Sequence, residues 1–295
     1  MKRKNSGFLF FLILVLSYQN AGALFFGHST STTAEALAFL EKMPKLEHSV
    51  HWPNMNPALF SKNLHENVEK PNEMYAGRGT NFCAYGALGY LFLQDDPLGY
   101  AKFLVKLYQD GEATVGVSHF KPSAPVRKVA GTLRWRGPLD VSPAEQMFYL
   151  TLADHFKGYI NLFNLHYDNG DEDRFWASTN YAKFNRMVRN MLNYKVSARG
   201  TDLIQPRVKD MYSYLQEKLH KGTVVLYLNN RMLKKKKHEK VKFDVPTHFV
   251  VLQEIRKSDV GVVLIYWDYG HKTLQEIKPA FLKKIVFGVS VCSKE

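Results

Sequence analysis

Four apolar, β-branched runs follow Gly222, and they constrain the fold more than any other feature of this chain. Thr223-Val-Val-Leu-Tyr-Leu228, Thr247 to Glu254, Val260 to Asp268 and Ile285 to Val291 each read as buried strands. Ser258-Asp259 leaves only a short turn between the second and third, so those two form a hairpin. A short helix around Pro279 to Lys284 precedes the last run.

Before Gly222 the pattern is helical. Thr32-Thr-Ala-Glu35 is a capping box ahead of Ala36, Leu37, Phe39 and Leu40, and Pro44 stops that helix. Asp96-Pro97 starts a helix ending at Gly111, and Ser142-Pro-Ala-Glu145 opens a long one carrying Met147, Leu150, Phe156, Ile160 and Phe163. Two more are expected over Asn180 to Leu192 and Pro206 to about Leu219. Residues 45 to about 80 show no sustained period, and Gly116 to Pro138 reads as loop or short strands. The acidic Asp168 to Asp173 stretch reads as a solvated loop; it lacks the twelve-residue spacing of a calcium loop. Helices followed by strands imply an α+β architecture rather than alternating βαβ units.

The stretch with most chemistry is Gly79-Thr-Asn-Phe-Cys-Ala-Tyr-Gly-Ala-Leu-Gly-Tyr-Leu-Phe92. Gly77, Gly79 and Asn81 favour a loop, and the run from Cys83 favours a helix with the cysteine at its N-terminus. There the unpaired N–H groups and the helix dipole favour a thiolate or an oxyanion. Gly86 and Gly89 each cost about 1 kcal/mol in a helix interior, which points to close approach of another element.

A thiol nucleophile needs a base and the base needs an orienter. His248 opens the second strand and Asp268 closes the third. Counting outward from the turn at residues 257–259 brings them together at one end of the sheet. The alternatives are structural. Cys83 alone would be a small buried hydrophobe or would pair with Cys292, His248 a satisfied core histidine, and Asp268 a turn residue before Tyr269-Gly270.

The order Asn81-Phe-Cys83, then Thr247-His248-Phe-Val-Val-Leu, then Tyr266-Trp-Asp268-Tyr-Gly270 resembles the papain-like cysteine peptidase superfamily. The resemblance implies a helical lobe carrying the cysteine helix, packed on a twisted antiparallel β-sheet. It implies a peptidase or amidase working through a thioester acyl-enzyme, with Cys83 as nucleophile, His248 as base and then acid, and Asp268 as orienter. Papain carries an oxyanion glutamine before the cysteine. Here Gly77, Arg78 and Gly79 stand in that region and Asn81 is the nearest amide. The competing function is a catalytically inactive papain-like domain that binds an anionic surface or cell-wall polymer.

Lys2, Arg3 and Lys4, the apolar stretch Phe8 to Leu16 and Ala21-Gly22-Ala23 form the pattern of a signal peptide over 1–23. An exported, periplasmic or secreted protein is therefore expected, with no transmembrane segment after signal removal. The remainder divides into a 24–76 segment and a 77–295 catalytic domain, itself a helical lobe over 77–221 and a sheet lobe over 222–295. The formal charge of +13 favours anionic partners, with Lys234, Lys235, Lys236 and Lys237 as the densest run. No nucleic-acid recognition module is visible. Eleven histidines include no H-E-x-x-H or C-x-x-C spacing, so neither metal nor cofactor is expected, and the substrate would be a peptide, protein or cell-wall amide.

Overall fold

The computed structural model describes residues 29–77, 79–134, 141–159, 166–229 and 246–294. The expected signal peptide, the Lys234 to Lys237 run and the Ile160 to Phe163 part of the long helix lie outside the described residues. The fold is α+β. Among the described residues, nine α-helices accompany a small hairpin, β1 (Ala113–Val115) with β2 (Ser118–Phe120), and one six-stranded sheet. That sheet contains β3 (Lys195–Gly200), β4 (Thr223–Leu228), β5 (His248–Lys257), β6 (Val262–Asp268), β7 (His271–Ile277) and β8 (Val286–Ser293). Its order is β3-β8-β4-β5-β6-β7, and every pairing is antiparallel.

Local chemistry explains most helix limits. The capping box at Thr32 and Glu35 starts α1 (Thr33–Lys42). A second helix, α2 (Pro57–Glu69), lies where no regular element was expected. Asn56 caps it by accepting Leu59 N–H, and Pro57 takes the first turn, where its missing donor is harmless. Phe60, Leu64 and Val68 recur every four residues and are buried, but the intervening polar residues dilute the signal.

The cysteine helix, α3 (Cys83–Asp95), is buried along nearly its whole length, as expected of a helix apolar on all sides. Asp96 caps α4 (Pro97–Asp110) through Gly99 N–H, and Gly111 ends it in the left-handed region. Next come α5 (Ala124–Val129) and α6 (Pro143–Phe156), the latter with the expected Ser142–Glu145 box. Then follow α7 (Tyr181–Leu192), α8 (Met211–Leu219) and α9 (Pro279–Ile285).

The sheet is covered on both faces. Val225, Tyr227, Phe249, Val251 and Trp267 join the core built by α1 to α7. Val224, Leu226, Leu228, Val250 and Leu252 pack with Met211, Leu215, Leu282 and Ile285 of α8 and α9. Central strands sandwiched this way read as continuous apolar runs. The edge strands β3 and β7, absent from the sequence expectation, carry mostly exposed polar residues, which protects a free edge from pairing with other chains.

The proposed divisions at 76 and 221 do not separate cores. Trp52, Met55, Phe60, Leu64, Val68 and Met74 are buried in the same core as α3, so residues 29–76 form a structural layer of it. Strand β3 enters the sheet from before residue 221. The acidic turn also departs from expectation. Asp171 and Glu172 are buried, with Tyr167 O–H donating to Glu172 at 2.5 Å. The described residues hold no His, Cys, Asp and Glu grouping suited to a metal ion.

Candidate active site

The loop before Cys83 is held from several sides. Gly77 and Gly79 have φ of +77° and +90°, a region glycine enters without strain. The Thr80 hydroxyl lies 2.8 Å from the Ala76 carbonyl and 2.9 Å from that of Gly77, and it accepts Phe82 N–H at 3.3 Å. Asn81 N–H donates to Glu172 O at 2.8 Å, and its side-chain amide donates to Arg174 O at 2.8 Å. The buried acidic turn thus braces the cysteine loop.

Phe82 precedes the helix with φ −82° and ψ 5°, and no side chain caps it. The first N–H groups of α3, beginning with Cys83, have no partner within the helix. A buried helix end normally satisfies them, so this end can serve an oxyanion. Cys83 is a free thiol, 9% exposed, with Sγ 3.9 Å from the Thr247 carbonyl. The helix reaches the sheet because its glycines allow it. A Cβ on Gly86 would lie 2.8 Å from Ala76 Cβ and 3.2 Å from the Trp267 ring. Trp267 stacks on Tyr90 of the same helix at 5.0 Å and donates to Asn72 O at 3.1 Å.

His248 and Asp268 meet: Nε2 lies 2.5 Å from Asp268 Oδ1, with the side chains 1% and 3% exposed. The hairpin alone does not produce this pairing. Near its turn Lys257 opposes Val262, and that register would set Asp268 opposite Val251, on the other side of the pleat from His248. Between Leu252 and Glu254 the register steps by one, leaving Gln253 without a partner residue on β6. Beyond this bulge Val251 opposes Trp267, so Asp268 falls across from Val250, on His248's side of the strand. The same step lets Leu252 and Ile255, three residues apart, enter one core. Gln253 then donates to Tyr90 O–H of α3 at 2.8 Å, joining the bulge to the cysteine helix.

With Nε2–H directed at the carboxylate, Nδ1 is the ring nitrogen left to exchange a proton with Cys83. Nδ1 is buried and has no hydrogen-bond partner. Burial works against charge on the ring, but the Asp268 carboxylate and then the Cys83 sulfur outweigh it and raise His248 to about 9. One face of the imidazole is covered by Tyr269, stacked at 4.4 Å and 22°. Tyr269 (φ 49°) and Gly270 (φ 83°) form the two-residue turn joining Asp268 to His271. In the sequence this pair reads as an ordinary turn, without the ring's place over His248. The signal was there: a two-residue turn with both φ positive admits few residues other than Gly, Asn and Asp, so a tyrosine in its first position is out of place.

No family model, no curated protein and no solved structure matches the chain. Among the described residues no helix is long and apolar enough to cross a membrane.

Proposed function

We propose that this chain is a thiol-dependent acyl-transfer enzyme of the papain-like kind, specifically an exported cysteine hydrolase acting on amide bonds of a peptide, protein or cell-wall polymer. One observation carries the reading. A cysteine at an uncapped, buried helix N-terminus lies beside a histidine whose Nε2 is held by a buried carboxylate and whose Nδ1 is unsatisfied.

In this mechanism His248 Nδ1 takes the Cys83 proton and the sulfur attacks the carbonyl carbon, forming a C–S bond. The carbonyl oxygen becomes an oxyanion, held by the Cys83 N–H at the positive end of α3. As the tetrahedral species collapses, the C–N bond breaks and His248 returns the proton to the leaving amine. Water, deprotonated by His248, then cleaves the thioester and restores the thiol. Asp268 fixes the ring and stabilises its charged form. Asn81 would give an oxyanion only its second amide hydrogen, since the first is committed to Arg174 O.

The test is alkylation of Cys83 by iodoacetamide at pH 6, read by mass spectrometry, in wild type and His248→Ala. Alkylation that is fast in wild type and lost in the variant supports the enzyme. Equal, slow alkylation in both sinks it. The burial of the site, with His248 1% and Asp268 4% exposed, favours a second reading: an inactive papain-like domain that binds an anionic polymer or surface. That reading predicts an unreactive Cys83 and unchanged binding in Cys83→Ala. The Lys234 to Lys237 run remains its sequence-level candidate contact.

A further inference from the structure

The loop from Gly200 to Pro206 displays two adjacent aliphatic residues to solvent on a rigid support. Leu203 is 80% exposed and Ile204 is 60% exposed, and among the described residues they are the one consecutive pair of large exposed hydrophobics. Single exposed aliphatics such as Val117 or Val260 need no explanation. A pair held outward does.

The loop is organised from within. Thr201 Oγ1 accepts Leu203 N–H at 3.1 Å and Ile204 N–H at 2.8 Å, while Thr201 N–H donates to Ile204 O at 2.9 Å. Asp202 turns inward, accepting Tyr159 O–H at 2.7 Å and Tyr181 N–H at 3.0 Å. Gln205 donates to the Lys284 carbonyl, fixing the loop against the end of α9. Every polar group named here is satisfied while both aliphatic side chains point away from the core. The flanks are basic: Arg199, Arg207, Lys209, Lys283 and Lys284 are all exposed, and the acids close in sequence are the inward Asp202 and Asp210, which caps α8.

We infer that this loop docks the protein on an anionic lipid bilayer, with Leu203 and Ile204 entering the headgroup layer and the flanking cations meeting lipid phosphates and carboxylates. Aliphatic tips beside basic residues are the combination an interfacial anchor needs. A soluble polyanion would engage the cations and leave the aliphatics in water. A second copy would have to set an acidic surface against this one. The inference is independent of the thiol chemistry.

Leu203→Trp in the full chain tests it, read with vesicles of phosphatidylcholine alone and of phosphatidylcholine with phosphatidylserine. A blue shift of the added fluorescence, and its quenching by brominated lipid, is expected only with the anionic vesicles. Adding Arg207→Glu and Lys209→Glu should weaken that response roughly tenfold or more, and moderate salt should weaken it too. The comparison is between proteins with the same N-terminal stretch, so any membrane affinity there cancels. An unshifted spectrum with anionic vesicles overturns the proposal, as does an equal response to neutral ones. Tight heparin binding without a spectral shift assigns the face to a polyanion, and a dimer lost in Leu203→Ser/Ile204→Ser assigns it to self-association. Either result also overturns it.

Discussion

Strand β4 has a buried free thiol near each end, and the two differ in what surrounds them. Cys292 is the register partner of Thr223, lies between β3 and β4, and is 2% exposed. Burial pushes it up to about 12, with Arg189 opposing only in part. Cys83 sits at the other end, where Thr247 N–H bonds Leu228 O and the Thr247 carbonyl faces the sulfur. Five residues of strand separate the ends, about 17 Å at ~3.3 Å per residue. A disulfide needs Cα atoms within roughly 7 Å, so the two thiols cannot pair. Burial alone makes a thiol inert. A helix N-terminus and an oriented imidazole are what distinguish the other.

The largest test of that contrast removes each sulfur in turn. Cys83→Ala should abolish iodoacetamide incorporation into the native protein, and Cys292→Ala should leave it intact while lowering the urea midpoint. Incorporation that follows Cys292 instead would reverse the comparison. Next in size is His248→Ala, which should slow Cys83 alkylation at pH 6 by roughly a hundredfold or more, because the attacking thiolate loses the imidazolium charge beside it.

Asp268→Asn sharpens the comparison through pH. The folded chain holds the His248 proton more tightly than the unfolded one, whose ordinary value is 6.5. The resulting stabilisation is fully present below about 6.5 and is lost as pH rises through about 9. The stability advantage of wild type over Asp268→Asn should therefore be widest near pH 6 and narrow toward pH 10, measured by urea unfolding. A constant difference would mean that the ring is neutral throughout.

How much of this could be read from the chain follows from the same physics. The central strands announce themselves because both faces are buried, and His248 and Asp268 could be placed at one end of the sheet by counting from a turn. Strands β3 and β7 stayed hidden because edge strands are polar by necessity. Helix α2 stayed hidden because its three apolar anchors are separated by Ser61, Lys62, Asn63 and similar residues. The bulge at Gln253 is the deeper omission. Nothing local marks it, yet without it the hairpin would bring Asp268 to the right end of the sheet on the wrong side. The requirement that Leu252 and Ile255 share a core sets that register, and such a condition is visible only once both faces are assembled.

Gly86 connects the cysteine helix to the hairpin, so Gly86→Ala tests their contact with a smaller effect. The added methyl gains about 1 kcal/mol of helix propensity. It would also stand 2.8 Å from Ala76 Cβ and 3.2 Å from Trp267, which cannot both retreat. Overpacking of this kind costs about 1–3 kcal/mol, so a net loss is expected in urea unfolding, with slower Cys83 alkylation as α3 moves from the sheet.

The smallest effect concerns Tyr269, and it separates packing from positioning. Its φ of 49° is unfavourable for a side chain of that size, and a glycine there would be unstrained. Glycine also makes the unfolded chain more flexible, which costs about 0.5–1 kcal/mol, so the relief and the loss largely cancel. Tyr269→Gly should then lower stability by the worth of the ring contact it removes from one face of His248, about 0.5–1.5 kcal/mol. If that contact holds the imidazole in line with Asp268 and Cys83, alkylation at pH 6 should fall between roughly twofold and tenfold. Tyr269→Phe keeps the ring over His248 and should retain most of the wild-type alkylation rate. A glycine variant that alkylates at the wild-type rate would show that the hydrogen bond to Asp268 orients His248 unaided. The strained turn would then matter only for closing the hairpin.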